Sequence, residues 1–330
     1  MQTHAKTMFR RAALAALAGT TLTVGAVSAV GCAATSHPSV PADLGAPSRS
    51  ASLDAVVDEP GPLTVETVIG ADWAVPRSGL LNLDHPEAKA AKLTDGDEPI
   101  HVAFHVVRHP IRGTFLVDTG VERALFEQPD EAVIRGIAAR VARADTMKRR
   151  TDTKTWVEQS GAPIAGVFVT HLHMDHIAGM RDVPAGTPVF VGPGESTARS
   201  VENLFVASIV DRALENKPPL SVLGFERDPD GAFEGVLDVF GDGSFWALHV
   251  PGHTPGSTAF VARTPSGPVL LTGDACHTAW GWEHGVEPGS FSHDKAASAA
   301  SLARLRTFAA KHPTIDVRLG HQSLTRSGPS

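Results

Sequence analysis

Apolar residues along this chain recur in two rhythms, and the alternation between them marks out its elements. Short runs rich in β-branched residues at 63–69, 100–107 and 114–117 have the length and composition of strands. Pro110 and Gly113 bracket a turn between the last two. Pro129-Asp130 then opens a helix on whose face Val133, Ile134, Ile137 and Val141 fall, with Arg135, Arg140 and Arg143 around it. A short helix over 152–159, stopped by Gly161, feeds an apolar run at 164–169 that reads as a buried strand. A brief strand at 189–191 is followed by a helix over 196–216, with Val201, Leu204, Phe205 and Ile209 inward and Pro218-Pro219 as its stop. Strands at 236–239, 245–250, 258–262 and 269–271 come next, separated by Gly and Pro turns, then a helix over 294–311 and a strand at 315–319. Two sheets with helices outside, a four-layer α/β sandwich, is the architecture this order predicts.

The first sixty residues follow neither rhythm. Lys6, Arg10 and Arg11 precede an uncharged, apolar stretch at 12–30 that ends in Gly31-Cys32, the pattern of an export signal over 1–32. Ala29-Val30-Gly31-Cys32 resembles a bacterial lipobox with Ala29 where Leu is usual, and Arg10-Arg11 resembles a twin-arginine signal. The expectation is an exported protein, either a periplasmic or cell-envelope lipoprotein tethered to the membrane through Cys32 or a secreted one. Residues 33–62, rich in Ala, Ser, Pro and Asp with no periodic apolar face, read as a flexible linker, which leaves 63–330 as the folded domain. Hydrophobic content of 42% with 20% charged residues suits a globular domain. The net charge of −7 becomes about −10 once the three basic residues of 1–31 are set aside, which argues against a nucleic-acid partner. Cys32 and Cys276 are the two cysteines, too few for a disulfide framework.

The concentrated chemistry lies at the end of the 164–169 run, where His171, His173, Asp175 and His176 put three imidazoles and a carboxylate within six residues. His171 and His173, two apart, can reach one ion from an extended loop, while Asp175 and His176 turn toward a second position. Neutral imidazole and carboxylate suit zinc, with iron or manganese as alternatives, and no thiolate stands nearby. A solvated His-rich turn is the plainer reading of the same residues. Three further strand ends place a polar residue beside glycine: Gly252-His253, Gly273-Asp274 and Gly320-His321. Alone, each reads as a turn. Together with the hexapeptide they supply five imidazoles and two carboxylates, enough for two metal ions with a bridging oxygen. His101, His105 and His109 share strand parity and read as structural imidazoles rather than ligands.

With Leu116-Val117-Asp118-Thr119-Gly120 added, these motifs resemble the metallo-β-lactamase superfamily over roughly 63–321. The resemblance implies that family's four-layer αββα sandwich and a hydrolase domain over 63–330. It implies a first metal site of His171, His173 and His253, a second of Asp175, His176 and His321, and Asp274 bridging two zinc ions, with Asp118 as a support under the loop. The spacing is most similar to the N-acyl-homoserine lactonase branch, in which a tyrosine stands three residues after the bridging aspartate. This chain has no tyrosine, and His277 occupies that place. There it can donate a hydrogen bond to substrate, or be a supporting or merely exposed imidazole. Cys276 reads as a small buried residue.

The implied reaction is hydrolysis of a lactone or related ester, a small molecule with an acyl or lactone carbonyl. Two zinc ions would acidify a shared water and polarise the carbonyl, and Asp175 would carry a proton to the leaving oxygen. Trp280 and Trp282, with Phe205 or Phe291, would wall an acyl pocket, or else be ordinary core aromatics. The competing readings are another activity of the same fold (thioester hydrolase, β-lactamase-like or iron-dependent sulfur dioxygenase) and a non-catalytic envelope protein that sequesters zinc.

Overall fold

The strand Phe245–His249 explains the layering by itself. Phe245 and Ala247 point to one side, into a cluster with Phe115, Phe168 and Phe260. Trp246 and Leu248 point to the other, against Leu305 and Phe308 of the helix Lys295–Lys311. Side chains alternate across a strand, so apolar residues at every position mean that both faces of the sheet are covered.

The computed structural model describes residues 32–45, 52–200 and 203–324. One sheet has eight strands in the order Ser39–Pro41, Leu220–Val222, Val189–Val191, Ile164–Phe168, Gly113–Val117, Asp97–His109, Thr64–Pro76 and Lys148–Arg149. Its centre is parallel and its flank around the long Thr64–Pro76 and Asp97–His109 hairpin is antiparallel. A second sheet has five strands, Val236–Asp238, Phe245–His249, Thr258–Thr264, Gly267–Leu271 and Asp316–Arg318, antiparallel except for the last pair. A phenylalanine-rich core lies between the sheets. Helices cover the outer faces: Asn203–Leu214 with its neighbours on the large sheet and Lys295–Lys311 on the small one. This is the αββα order expected.

Three expectations are corrected. No helix runs from Pro129 to Val141; a short helix Ile137–Ala142 begins late, and Ile137 and Val141 are 73% and 80% exposed, while Val133 and Ile134 are buried in an irregular turn. The reason is local. The Val133 N–H donates to the buried Glu122 carboxylate and its carbonyl accepts from Arg212 Nε at 3.0 Å, so neither group is left for an i→i−4 ladder. The helix expected over 196–216 is Asn203–Leu214, preceded by turns and by the short strand Arg199–Ser200; Ile209 is buried as expected, and Val201 and the side chains of Leu204 and Phe205 lie outside the described residues.

Residues 33–62, where described, are not a free linker. Ser39–Pro41 forms the outer strand of the large sheet beside Leu220–Val222, Cys32–Ala33 pairs with Arg199–Ser200, and Leu53 and Val57 are buried. Asp211 accepts from the Thr35 and Ser36 hydroxyls and from the Ser36 N–H at 2.8 Å. Edge pairing uses backbone groups alone and asks for no apolar rhythm, which is why composition concealed it. The stretch 1–31, read as the export signal, lies outside the described residues, and Cys32 is exposed.

Candidate metal centre

Each side chain singled out as a ligand sits where a strand ends and the backbone turns. His171 to His176 follow Ile164–Phe168 of the large sheet, with His173 at the N-terminal boundary of the one-turn helix Met174–Ile177. His253, Asp274 and His321 follow Phe245–His249, Gly267–Leu271 and Asp316–Arg318 of the small one. The two sheets therefore meet at this edge, and the Thr258 N–H donates to the Thr170 carbonyl across it at 3.0 Å. Glycine is needed at the close approaches: a Cβ at Gly320 would collide with the Asp274 carboxylate, and one at Gly179 with the Thr119 carbonyl.

Three groups of ligand-type atoms result, each gathered within 4.8 Å: His171, His173 and His253; Asp175, His176, Asp274 and His321; and His253, Asp274 and His277. His253 Nε2 lies 3.1 Å from His171 Nε2 and 2.8 Å from His173 Nδ1. The edge of a tetrahedron around zinc, with zinc–nitrogen distances of about 2.0–2.1 Å, is roughly 3.3 Å, so these nitrogens stand near ligand spacing. Asp274 Oδ2 lies between the first two groups, 3.2 Å from His176 Nε2, 3.3 Å from His321 Nε2 and 3.6 Å from His171 Nε2. Asp175 Oδ2 is 3.3 Å from His321 Nε2.

The electrostatics fit a cation. Burial, then the neighbouring imidazoles, hold His171 and His253 well below the usual histidine range, so their facing nitrogens carry lone pairs. Burial works against charge on His176 and His321 too, but Asp274 and its fellow carboxylates outweigh it, raising His176 strongly and His321 to about 10. Those protons occupy places that a divalent ion would take. Asp274 Oδ1, buried, finds no hydrogen-bond partner among the described residues, and buried His176 Nε2, though 3.2 Å from Asp274 Oδ2, is not aligned for a hydrogen bond to it. A buried polar atom without a partner is costly, and coordination would satisfy it.

Supporting contacts fix the rings. Asp118, in the left-handed region at φ 60, accepts from His176 Nδ1 at 2.8 Å and from the Thr170 N–H at 2.8 Å, the supporting place expected for it. His321 Nδ1 donates to the His101 carbonyl at 2.9 Å. His101, His105 and His109 themselves pair with Asp72, Thr67 and Asp242, outside all three groups. Cys276 is buried, and burial pushes its thiol up to about 12. His277 is buried rather than exposed; its Nδ1 lies 2.9 Å from the Leu80 carbonyl and its Nε2 3.1 Å from Asp274 Oδ2.

The cluster floors a cavity of about 270 Å³ whose walls include Trp73, Val75, Leu80, Ile100, Val206 and Phe291. A larger, more open groove of about 740 Å³ passes His101, His105 and Arg318, and of the cluster residues only His321 borders it. Chemistry, not size, picks out the smaller cavity. Of the expected aromatic walls, Phe291 is there at the rim, 43% exposed, whereas Trp280 and Trp282 are not; Trp282 packs beside the core under Lys295–Lys311. Two residues that sequence reasoning missed matter here. Trp73, a cavity wall, has a buried indole N–H with no partner among the described residues. Glu195 accepts from the Leu172 N–H at 2.7 Å, the Thr254 hydroxyl at 2.6 Å and the Gly256 N–H at 3.1 Å, clasping the loops that carry His171, His173 and His253.

The family described as the metallo-beta-lactamase superfamily matches residues 98–311. An N-acyl homoserine lactonase of Agrobacterium fabrum is 34% identical over 161 residues, 48% of this chain and 59% of that protein, so the chain matches less than two thirds of that relative's length. A second N-acyl homoserine lactonase, from Rhizobium johnstonii, is 28% identical over 248 residues, 74% of this chain and 90% of that protein. The crystal structure of a quorum-quenching N-acyl homoserine lactone lactonase aligns with a TM-score of 0.54 at 19% identity, covering 80% of this chain and 93% of that one, a likeness of fold. The family match spans well over half of the chain, and the strand ends inside and beside it carry the His and Asp motifs: the chain belongs to the metallo-β-lactamase superfamily.

Proposed function

We propose that this protein is a metal-dependent hydrolase that opens a lactone or related ester, with N-acyl homoserine lactones, the compounds for which its relatives are named, as the first substrate class to try. The observation that carries this reading is Asp274: its Oδ2 lies within 3.6 Å of imidazole nitrogens from His171, His176, His253, His277 and His321, on the floor of a largely apolar cavity.

His171, His173 and His253 would hold one cation, Asp175, His176 and His321 a second, and Asp274 both. Zinc suits this nitrogen and oxygen donor set, and two bound ions supply an acidified water and stabilise charge developing on the acyl oxygen. Asp175, which borders the cavity, is held below the usual carboxylate range because His176 and His321 outweigh the effect of its burial. That keeps it ionised, as a cation ligand must be, and its place on the cavity wall is what puts it within reach of the leaving oxygen for proton transfer. Val75, Leu80, Ile100 and Phe291 keep water from an acyl chain. The unpartnered Trp73 N–H offers a hydrogen bond to a polar oxygen of the substrate.

The reading extends to location: residues 1–32 are proposed as an export signal, and the exposure of Cys32 is compatible with its acylation. Metal analysis of the purified protein, with ring opening followed by base uptake across acyl chain lengths, tests the function. Two equivalents of zinc and activity abolished by a chelator are expected. A fully metallated protein that leaves every lactone intact sinks the proposal; thioester and β-lactam arms then distinguish the other hydrolytic activities, and a single iron points to the dioxygenase.

A further inference from the structure

His277 stands where the lactonase branch carries a tyrosine, a residue that donates a proton in a hydrogen bond. Its surroundings are built for the opposite role. A backbone carbonyl can only accept, so the 2.9 Å contact between His277 Nδ1 and the Leu80 carbonyl places a proton on Nδ1. Nε2 is then the atom that faces the cluster: it lies 3.1 Å from Asp274 Oδ2, an acceptor, so a proton or a cation must lie between them, and it is within 4.8 Å of the ligand atoms of both His253 and Asp274. His321 is held in the same way, with Nδ1 on the His101 carbonyl at 2.9 Å and Nε2 at 3.3 Å from the same carboxylate oxygen. The two rings are parallel within 8°, their centroids 5.6 Å apart. Backbone hydrogen bonds from Gly320 to Cys276 and from His321 to His277 lock the strand ends side by side. A metal-binding imidazole ordinarily gives its second ring N–H to a carbonyl or carboxylate, which fixes its tautomer and strengthens it as a ligand.

We infer that His277 is a further metal ligand, binding through Nε2 the cation shared by His253 and Asp274, and not a hydrogen-bond donor to substrate. The inference rests on the metal-centre reading above and adds one imidazole to it. It also ties that centre to the substrate cavity, because the carbonyl that orients His277 belongs to Leu80, which closes the short helix Arg77–Leu80 and walls the cavity.

The test uses Co(II) as probe on the full chain stripped of metal. Each imidazole bound to Co(II) keeps one ring N–H, which gives a hyperfine-shifted, exchangeable proton resonance. Wild-type protein should show six, from His171, His173, His176, His253, His277 and His321, where the remaining ligands alone give five. In His277→Phe that signal disappears, the visible Co(II) spectrum changes, and one of the two equivalents binds at least about tenfold more weakly, the scale of effect seen even for loss of an outer contact. Five resonances in wild type, or unchanged affinities and spectrum in a folded His277→Phe protein, overturn the inference and leave the metal centre standing. Failure of wild-type protein to bind Co(II) at all overturns both. Should His277→Phe not fold, the wild-type count decides alone.

Discussion

At the scale of the residue, the site divides into side chains with a spacing and side chains without one. Three imidazoles and a carboxylate within six residues are visible because chance rarely packs them so closely. His253, Asp274 and His321 were legible through the glycines beside them and gained weight once joined to the hexapeptide. Glu195 and Trp73 carry no such signal: each is a single residue in an ordinary context, and its role exists only where distant loops converge. Glu195→Ala leaves the buried Leu172 and Gly256 N–H groups and the Thr254 hydroxyl without their acceptor. Each such loss costs about 1–3 kcal/mol. The expected outcome is a lower melting temperature together with metal affinity down roughly tenfold or more, read by chelator competition; Glu195→Gln, which keeps one acceptor oxygen, should fall between. Wild-type affinity in Glu195→Ala would mean the clasp does not hold the ligands. Trp73→Phe keeps an aromatic side chain on the cavity wall and removes the N–H, so kcat/KM for an acylated lactone should fall about two- to tenfold, the worth of one neutral hydrogen bond. The same substitution should leave metal content unchanged.

At the scale of the element, rhythm read well wherever a face was simply covered. The helix Thr153–Ser160, capped by Asp152 and ended by Gly161, and the helix Lys295–Lys311, capped by Asp294, lie within a residue of their expected bounds. Rhythm failed where side chains took over backbone duties. Around Val133 the apolar spacing is helical, yet Glu122 and Arg212 claim the peptide groups. Glu122 therefore makes a prediction at this scale. Burial pushes its carboxyl up to about 7 from an ordinary 4.5, against the pull of the Val133 N–H and Arg181. A folded-state value above the unfolded one means stability that is complete below pH 4.5 and lost as pH rises through about 7. The loss is at most roughly 3 kcal/mol. Denaturant midpoints measured from pH 4.5 to 7.5 should fall in wild type by this contribution, and Glu122→Gln should flatten that part of the curve. Parallel curves would show that Glu122 is already ionised in the folded protein.

At the scale of the whole molecule, the centre is the seam between the two sheets. The large sheet brings His171, His173, Asp175 and His176, and the small sheet brings His253, Asp274 and His321, so a bound cation joins halves that otherwise crowd unprotonated imidazoles and carboxylates together. A ligand bound only by the folded state adds about 2.7 kcal/mol per site at a hundredfold excess over its dissociation constant. For two sites, and at about 2–4 °C per kcal/mol in a domain somewhat smaller than this, chelation should lower the melting temperature by roughly 10–20 °C. The effect also depends on pH with a definite sign. In the metal-free protein His321 is raised to about 10 from 6.5, so its protonation stabilises the fold fully below pH 6.5 and this contribution drains away as pH rises toward 10. Protons compete with the cation for the same ring over that interval, and the competition weakens as they leave. The gap in melting temperature between metal-loaded and stripped protein should therefore widen from pH 6.5 to pH 9 in differential scanning calorimetry. A gap that narrows over this range would mean that His321 holds its proton independently of the metal, and His321 would then have no place among the ligands.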